Sequence, residues 1–109
     1  MIDWGRVEEL RAEIGDDDFH EVVAMFLEEA DEVIVQISGP PDPSQLESRL
    51  HFLKGSALNL GLTELAGLCQ DGERHAATGT ATSVDLAAVV AIYRASRLQI
   101  TQSLGSAAA

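Results

Sequence analysis

The side chains that could do chemistry gather in one short stretch, residues 51–57. His51 supplies an imidazole, which exchanges protons near neutral pH, and Lys54 follows three residues later. Residues three or four apart share a helix face, so His51, Lys54 and Gly55 lie on one flank. A titratable imidazole is thus held on a helix beside a cation. His51 is therefore the candidate nucleophile, although a histidine without such context is usually an ordinary surface residue.

The stretch lies inside a predicted helix whose buried stripe is clear. The apolar residues recur at spacings of four and three, the period of one helix face: Leu46, Leu50, Leu53, Ala57 and Leu60. His51 falls on the flank beside this stripe. Gly55 stands in mid-helix, where glycine costs ~1 kcal/mol relative to alanine. We interpret that glycine as space kept for a partner.

At these residues a family resemblance becomes specific. The run His51-x-Leu53-Lys54-Gly55-Ser56-Ala57, followed by Leu60-Gly61, resembles the signature of histidine-containing phosphotransfer (HPt) domains of two-component phosphorelays. Three further features are similar to this family, so that the resemblance covers nearly the whole chain: Ile2-Asp3-Trp4, the acidic helix before the motif, and Leu68-Cys69.

The resemblance implies a phosphorelay intermediate. His51 would accept a phosphoryl group from a receiver-domain aspartyl phosphate and pass it to another receiver, with a hybrid or separate histidine kinase upstream. The chain itself would need no cofactor, because the Mg²⁺ is expected on the partner receiver domain. Lys54 would meet the phosphoryl group, and Gly55 would let the partner come close. Leu58 and parts of the second helix would contribute apolar docking contacts. Ser56 could hydrogen-bond nearby, although a helical serine more often bonds its own backbone.

Five amphipathic segments predict an all-α fold. Each has a start signal: Asp3 before the first helix, Asp16 to Asp18 opening the second, Asp42-Pro43 before the third, Thr63 as cap of the fourth and Ser83 as cap of the fifth. Gly15 and Gly61 are stop signals. Short loops between long helices predict an antiparallel up-down four-helix bundle with a short additional N-terminal helix that closes one end. We expect one domain over residues 1–104 and a flexible tail over 105–109.

Helix geometry predicts a partner for the imidazole. His51 lies ten residues before Gly61, about 15 Å along the helix, so a residue ten to twelve positions after the turn returns to its level. Within that window, Glu73 lies near the helix–helix seam. Its carboxylate would accept a hydrogen bond from the Nδ1–H of His51, so that Nε2 points outward. Members of the similar family often carry Glu or Gln at this place, usually after an apolar residue, where this chain has Gly72.

Composition excludes several other functions. A net charge of −11 disfavours nucleic-acid binding and adhesion to an anionic membrane. The single cysteine, Cys69, leaves no intrachain disulfide, and a metal site from His51, His75 and Glu73 lacks the usual ligand spacing. No nucleotide-binding motif occurs, so we expect no autokinase activity. We expect a cytoplasmic monomer in which His20 and His75 are surface residues.

Two alternatives stay open beside the phosphocarrier. One is a helical adaptor that binds a response regulator without transfer, against which the joint presence of His51, Lys54 and Gly55 speaks. The other is the phosphoacceptor segment of a larger histidine kinase. The start at Met1 and the absence of an ATP-binding motif favour a free-standing protein.

Overall fold

All regular structure in the computed structural model is α-helical. The structure describes residues 2–38, 43–79 and 84–108, with the backbone alone for Pro43 and 104–108. Within these residues there are five helices: α1 (Trp4–Ile14), α2 (Asp16–Ser38), α3 (Pro43–Asn59), α4 (Thr63–Ala77) and α5 (Leu86–Ala108). The predicted all-α class is confirmed.

The helix boundaries follow most of the predicted signals. The Asp3 carboxylate accepts a hydrogen bond from the Arg6 backbone N–H (3.1 Å), which caps α1. Gly15, at φ +85°, ends α1 by donating its N–H to the Arg11 carbonyl (2.9 Å). Helix α3 begins at Pro43 as predicted. Its expected cap, Asp42, lies outside the described residues.

Three boundary predictions need correction. Thr63 is the first residue of α4 and not its cap, since Leu62 holds the cap position without a side-chain hydrogen bond and is buried in the core. Helix α5 begins at Leu86, where the Asp85 carboxylate accepts from the Ala88 N–H (2.9 Å); the predicted cap, Ser83, lies outside the described residues. Helix α5 also continues to Ala108, beyond the end predicted at residue 104, while the flexibility of the tail stays a prediction.

The helices pack against one another around a shared hydrophobic core. Helix α2 packs against α3 and α5, and α4 packs against α3 and α5, while α1 packs against α2. The predicted stripe of α3 faces inward, with Leu46, Leu50, Leu53, Ala57 and Leu60 all buried. Trp4 and Val22 are 41% and 36% exposed, at the edges of the buried stripes of α1 and α2. The four-helix bundle and its up-down antiparallel order stay predictions.

Helix α1 is held against the turn between α3 and α4. The Asp3 N–H donates to the Gly61 carbonyl (2.7 Å), and the Arg6 Nε donates to the Asn59 carbonyl (3.2 Å). Gly61 has φ +77°, and a Cβ at this position would lie 2.8 Å from the Asp3 carbonyl oxygen. Only glycine suits both the backbone conformation and this close approach. The α3–α4 hairpin is thereby fixed at the end away from His51.

A polar clamp that the sequence analysis did not anticipate joins α2 to α5. The Asp31 carboxylate accepts two hydrogen bonds from the Arg97 guanidinium (both 3.0 Å) and one from the Tyr93 hydroxyl (2.5 Å). The Arg97 hydrogen bond is the main reason that the pKa of Asp31 is lowered. Burial, followed by the Asp31 hydrogen bond, raises the pKa of Tyr93. The clamp gives the α2–α5 seam one preferred register.

Gly72 lets α4 approach α3 closely. A Cβ built on Gly72 would lie 2.8 Å from Leu50 Cδ1 and 3.0 Å from Val84 Cγ1, so neighbouring side chains occupy the space that an apolar residue would need. Gly67, on the same helix, has nothing within 4 Å of its Cβ position. An added Cβ would therefore meet neighbouring side chains at Gly72 and open space at Gly67.

This difference predicts that substituting alanine changes the free energy of unfolding differently at the two glycines. Gly67→Ala should raise the free energy of unfolding by up to ~1 kcal/mol, because alanine is the better helix former. Gly72→Ala should unfold more easily than Gly67→Ala by about 1–3 kcal/mol, the usual cost of overpacking a core. Urea unfolding of both variants beside the wild type measures this. Equal stabilities would show that the contact at Gly72 is relieved without cost.

Candidate functional site

His51 is an exposed side chain on a firmly anchored helix. Its neighbours Leu50 and Leu53 are fully buried, which fixes the rotation of α3. The His51 side chain is 67% exposed and projects from the adjoining flank, as the sequence predicts. The imidazole is thus reachable by a partner, while the backbone that carries it belongs to the core.

The Glu73 carboxylate contacts two other predicted site residues, His51 and Lys54. We call these three residues the bridged group. Glu73 Oε1 lies 2.7 Å from His51 Nδ1, and Glu73 Oε2 lies 2.8 Å from Lys54 Nζ. The structure therefore places Glu73 where the helix arithmetic puts it. The ion pair between Lys54 and Glu73 was not anticipated, because the sequence analysis assigned the lysine to an incoming phosphoryl group. The spacing of three residues between His51 and Lys54 could have indicated that one acid reaches both.

The electrostatics keep this carboxylate charged. The pKa of Glu73 is lowered, chiefly by its hydrogen bond with Lys54; burial opposes this, and the hydrogen bond and charge of His51 add to it. A carboxylate can only accept hydrogen bonds, so the proton of the neutral imidazole resides on Nδ1. The lone pair of the ring is then on Nε2, the nitrogen away from Glu73. A nucleophile with a fixed tautomer is the chemical result.

Two more predicted residues share the flank of His51, and one does not. Gly55 is exposed, and a Cβ on it would meet nothing within 4 Å. Leu58, one turn later, is 56% exposed. Ser56 instead lines a groove between α3 and α2, beside Val22 and Met25. The structure thus separates Ser56 from the imidazole and gives Gly55 no packing role within the described chain.

The apolar surface beside the site was expected to comprise Leu58 and parts of the second helix, but no residue of that helix was named and Phe52 was not anticipated. Met25 on α2 and Phe52 on α3 are 57% and 37% exposed. Grooves between α2 and α3 lie beside each of them, and Glu29 lines both. The position of Met25 off the buried stripe of α2 was the available signal.

Other candidate chemistry finds little support. Cys69 is buried, and this burial raises the pKa of its thiol to about 12, so it behaves as a small apolar residue. Among the described residues, no three His, Cys, Asp or Glu side chains form a group that could hold a metal ion. Within the same part of the chain, no helix is long and apolar enough to cross a membrane.

The bridged carboxylate generates a prediction about acid titration. Lys54→Met should raise the pKa of Glu73 towards its ordinary value of 4.5, because the first cause of the lowering is removed. A carboxyl whose pKa is lower in the folded state stabilises the fold above its unfolded pKa, and this contribution disappears as the pH falls through the folded pKa. The stability difference between wild type and variant should therefore shrink on acidification below about pH 4.5.

Carboxyl ¹³C NMR of Glu73 and urea unfolding across the acid range measure both effects. Arg74→Met is the matched control, since Arg74 pairs with Asp71 on the same helix (2.7 Å) and does not contact Glu73. If Glu73 titrates alike in the two variants, the Lys54 contact does not set its charge.

Comparison with known proteins assigns the chain to a family. The family model described as Hpt domain matches residues 21–106, which include α3, α4 and all three members of the bridged group. No curated protein and no solved structure matched the chain. The matched region exceeds half of the 109 residues, and it contains the histidine with its partners. The chain therefore belongs to the Hpt domain family, whose members serve phosphotransfer in two-component signalling.

Proposed function

We propose that the chain is a phosphorelay intermediate that carries a phosphoryl group on His51 between two receiver domains. The observation that carries this proposal is the contact between Glu73 Oε1 and His51 Nδ1 (2.7 Å) beside a largely exposed imidazole. It supplies a nucleophilic Nε2 that faces a partner and not the core. The scaffold would be an antiparallel up-down four-helix bundle, acting as a monomer in the cytoplasm.

The bonds and charges of the transfer step are balanced by groups of the two proteins alone. The Nε2 lone pair forms a bond to the phosphorus of the receiver's aspartyl phosphate. The bond from phosphorus to the aspartate oxygen breaks, and its electron pair restores the aspartate carboxylate. Nδ1 keeps its proton throughout, so the phosphorylated ring is cationic and the Glu73 carboxylate balances it. Delivery to the second receiver's aspartate is the same step reversed, and the Mg²⁺ is held by the receiver's acids.

Lys54 can serve this step without leaving Glu73. The Lys54 ammonium forms an ion pair with Glu73 Oε2 (2.8 Å), and of its three N–H donors this contact occupies at most one. The others remain for a phosphoryl oxygen on Nε2, since Lys54 lies one turn after His51 on the same flank. The lysine thus would fix the carboxylate before transfer and neutralise the moving group during it.

The receiver would dock over the flank of His51 and the neighbouring seam of α2 and α3. Leu58, Met25 and Phe52 give this surface exposed apolar contacts, the type that forms the centre of an interface. Glu29 and Glu32 line the groove beside Phe52. A receiver that carries cationic side chains around an apolar patch would complement this surface and associate faster at low ionic strength.

The phosphoacceptor assignment is tested by transfer from a phosphorylated receiver. His51→Gln should remove all label from this chain, whereas His20→Gln and His75→Gln should accept it like the wild type. The adduct should survive alkali and decay in acid, as a phosphohistidine does. Label on His51→Gln at comparable yield contradicts the proposal. If the wild type and all variants bind the receiver but none becomes labelled, the chain is instead a helical adaptor that binds a response regulator without transfer.

Gly55 should matter for access and not for folding. Gly55→Ala should be as stable as the wild type or more stable by up to ~1 kcal/mol, because its Cβ meets nothing in the described chain. Gly55→Leu should fold yet transfer slowly, since the added side chain stands beside His51 where the receiver approaches. Gly67→Leu is the matched control, being another open helical glycine away from the imidazole. Equal transfer rates in both leucine variants would show that the receiver does not pass over Gly55.

A further inference from the structure

Gly72 stands at the level of the bridged group on the inner side of the α3–α4 seam. It directly precedes Glu73, and the side chain that its Cβ would meet, Leu50, directly precedes His51. The 2.8 Å from that Cβ position to Leu50 Cδ1 is shorter than real carbon atoms allow. The closest packing between the two helices and their functional hydrogen bonds therefore involve adjacent residues.

The space at Gly72 is closed from two sides. Leu50 is completely buried, so its side chain has core atoms around it and little room to turn away. Val84, which precedes α5, would lie 3.0 Å from the same Cβ. Val84 is only partly buried and can turn aside, whereas Leu50 can give way only by displacing other core side chains. A shift of α4 away from α3 relieves the contact with Leu50 without that displacement.

The two contacts of the Glu73 carboxylate, with His51 and with Lys54, would both lengthen if α4 shifted in this way. The distances from Glu73 to His51 Nδ1 (2.7 Å) and to Lys54 Nζ (2.8 Å) lie at the short end of their usual range. Glu73 is carried by α4, and both of its partners are carried by α3. A displacement of α4 by a fraction of an ångström stretches both contacts together.

We propose that Gly72 is a positioning residue for the phosphoacceptor: its missing side chain sets the α3–α4 spacing at which Glu73 reaches His51 Nδ1 and Lys54 together. This residue touches no reacting atom and acts through Glu73. Its effect on the imidazole tautomer follows from the geometry alone. Its effect on transfer rests on the proposed function.

The first readout is the tautomer of His51, measured by ¹⁵N NMR of the ring on the whole chain. In the wild type the Nδ1–H form should dominate, because the carboxylate holds that proton. Gly72→Ala should shift the population towards the Nε2–H form and weaken the signature of the Nδ1 hydrogen bond. Gly67→Ala is the matched control: it adds the same methyl group to the same helix in open space and should leave the ring unchanged.

A second substitution separates positioning from general destabilisation. Leu50→Val removes the atom that meets the new Cβ, so Leu50→Val/Gly72→Ala should recover the wild-type tautomer even if it does not recover full stability. This double variant also keeps the test informative if Gly72→Ala alone fails to fold. A folded double variant that still lacks the Nδ1–H form overturns the proposal, as does a wild-type tautomer in Gly72→Ala.

Transfer from a phosphorylated receiver gives the second readout. Gly72→Ala should transfer on the order of tenfold more slowly, since small misplacements of a catalytic group can cost up to about 10²-fold. The double variant should regain most of that loss. If the tautomer responds as expected while even the wild type accepts no phosphoryl group, the proposed function fails and the positioning role stands. If the wild type transfers normally and Gly72→Ala keeps both tautomer and rate, the positioning role fails alone.

Discussion

The site depends on one carboxylate that is shared between an imidazole and an ammonium group. Glu73 contacts His51 with one oxygen and Lys54 with the other, and the two partners lie one turn apart on the facing helix. Such sharing fixes the side chain more firmly than either contact alone, because rotating the carboxylate breaks both. It also keeps the acid ionised, as the lowered pKa of Glu73 indicates. The tautomer of His51 follows from that charge.

The sharing requires α3 and α4 to lie close together at the level of His51. Gly61 fixes the hairpin at one end through its contact with Asp3, and Gly72 permits the close approach at the level of His51. The buried leucines of α3 fix its rotation between these points. The two glycines and the apolar stripe therefore act on the same quantity, the position of α4 relative to α3.

Sequence reasoning predicts the parts of this arrangement that follow from regular geometry. The rise of 1.5 Å per residue and the turn at Gly61 suffice to place Glu73 opposite His51. The stripe of α3 follows from its period. The Asp31–Tyr93–Arg97 clamp was missed because it depends on the register between α2 and α5, which are separated by two other helices. The cap at Leu62 was missed because burial in the core, and not local capping chemistry, decides where α4 begins.

The same hydrogen bond serves both directions of the proposed transfer. Before transfer, the Glu73 carboxylate holds the proton on Nδ1 and leaves the Nε2 lone pair free to attack. After transfer, the cationic ring is stabilised by that carboxylate, yet the ring can leave as a neutral imidazole because the proton never moved. A more strongly basic carboxylate would over-stabilise the cationic phosphorylated ring of His51 and slow release of the phosphoryl group. Lys54 limits this by drawing charge from the other oxygen, which lowers the pKa of Glu73. The ion pair that the sequence analysis did not anticipate thus accounts for how one site could both accept and release a phosphoryl group.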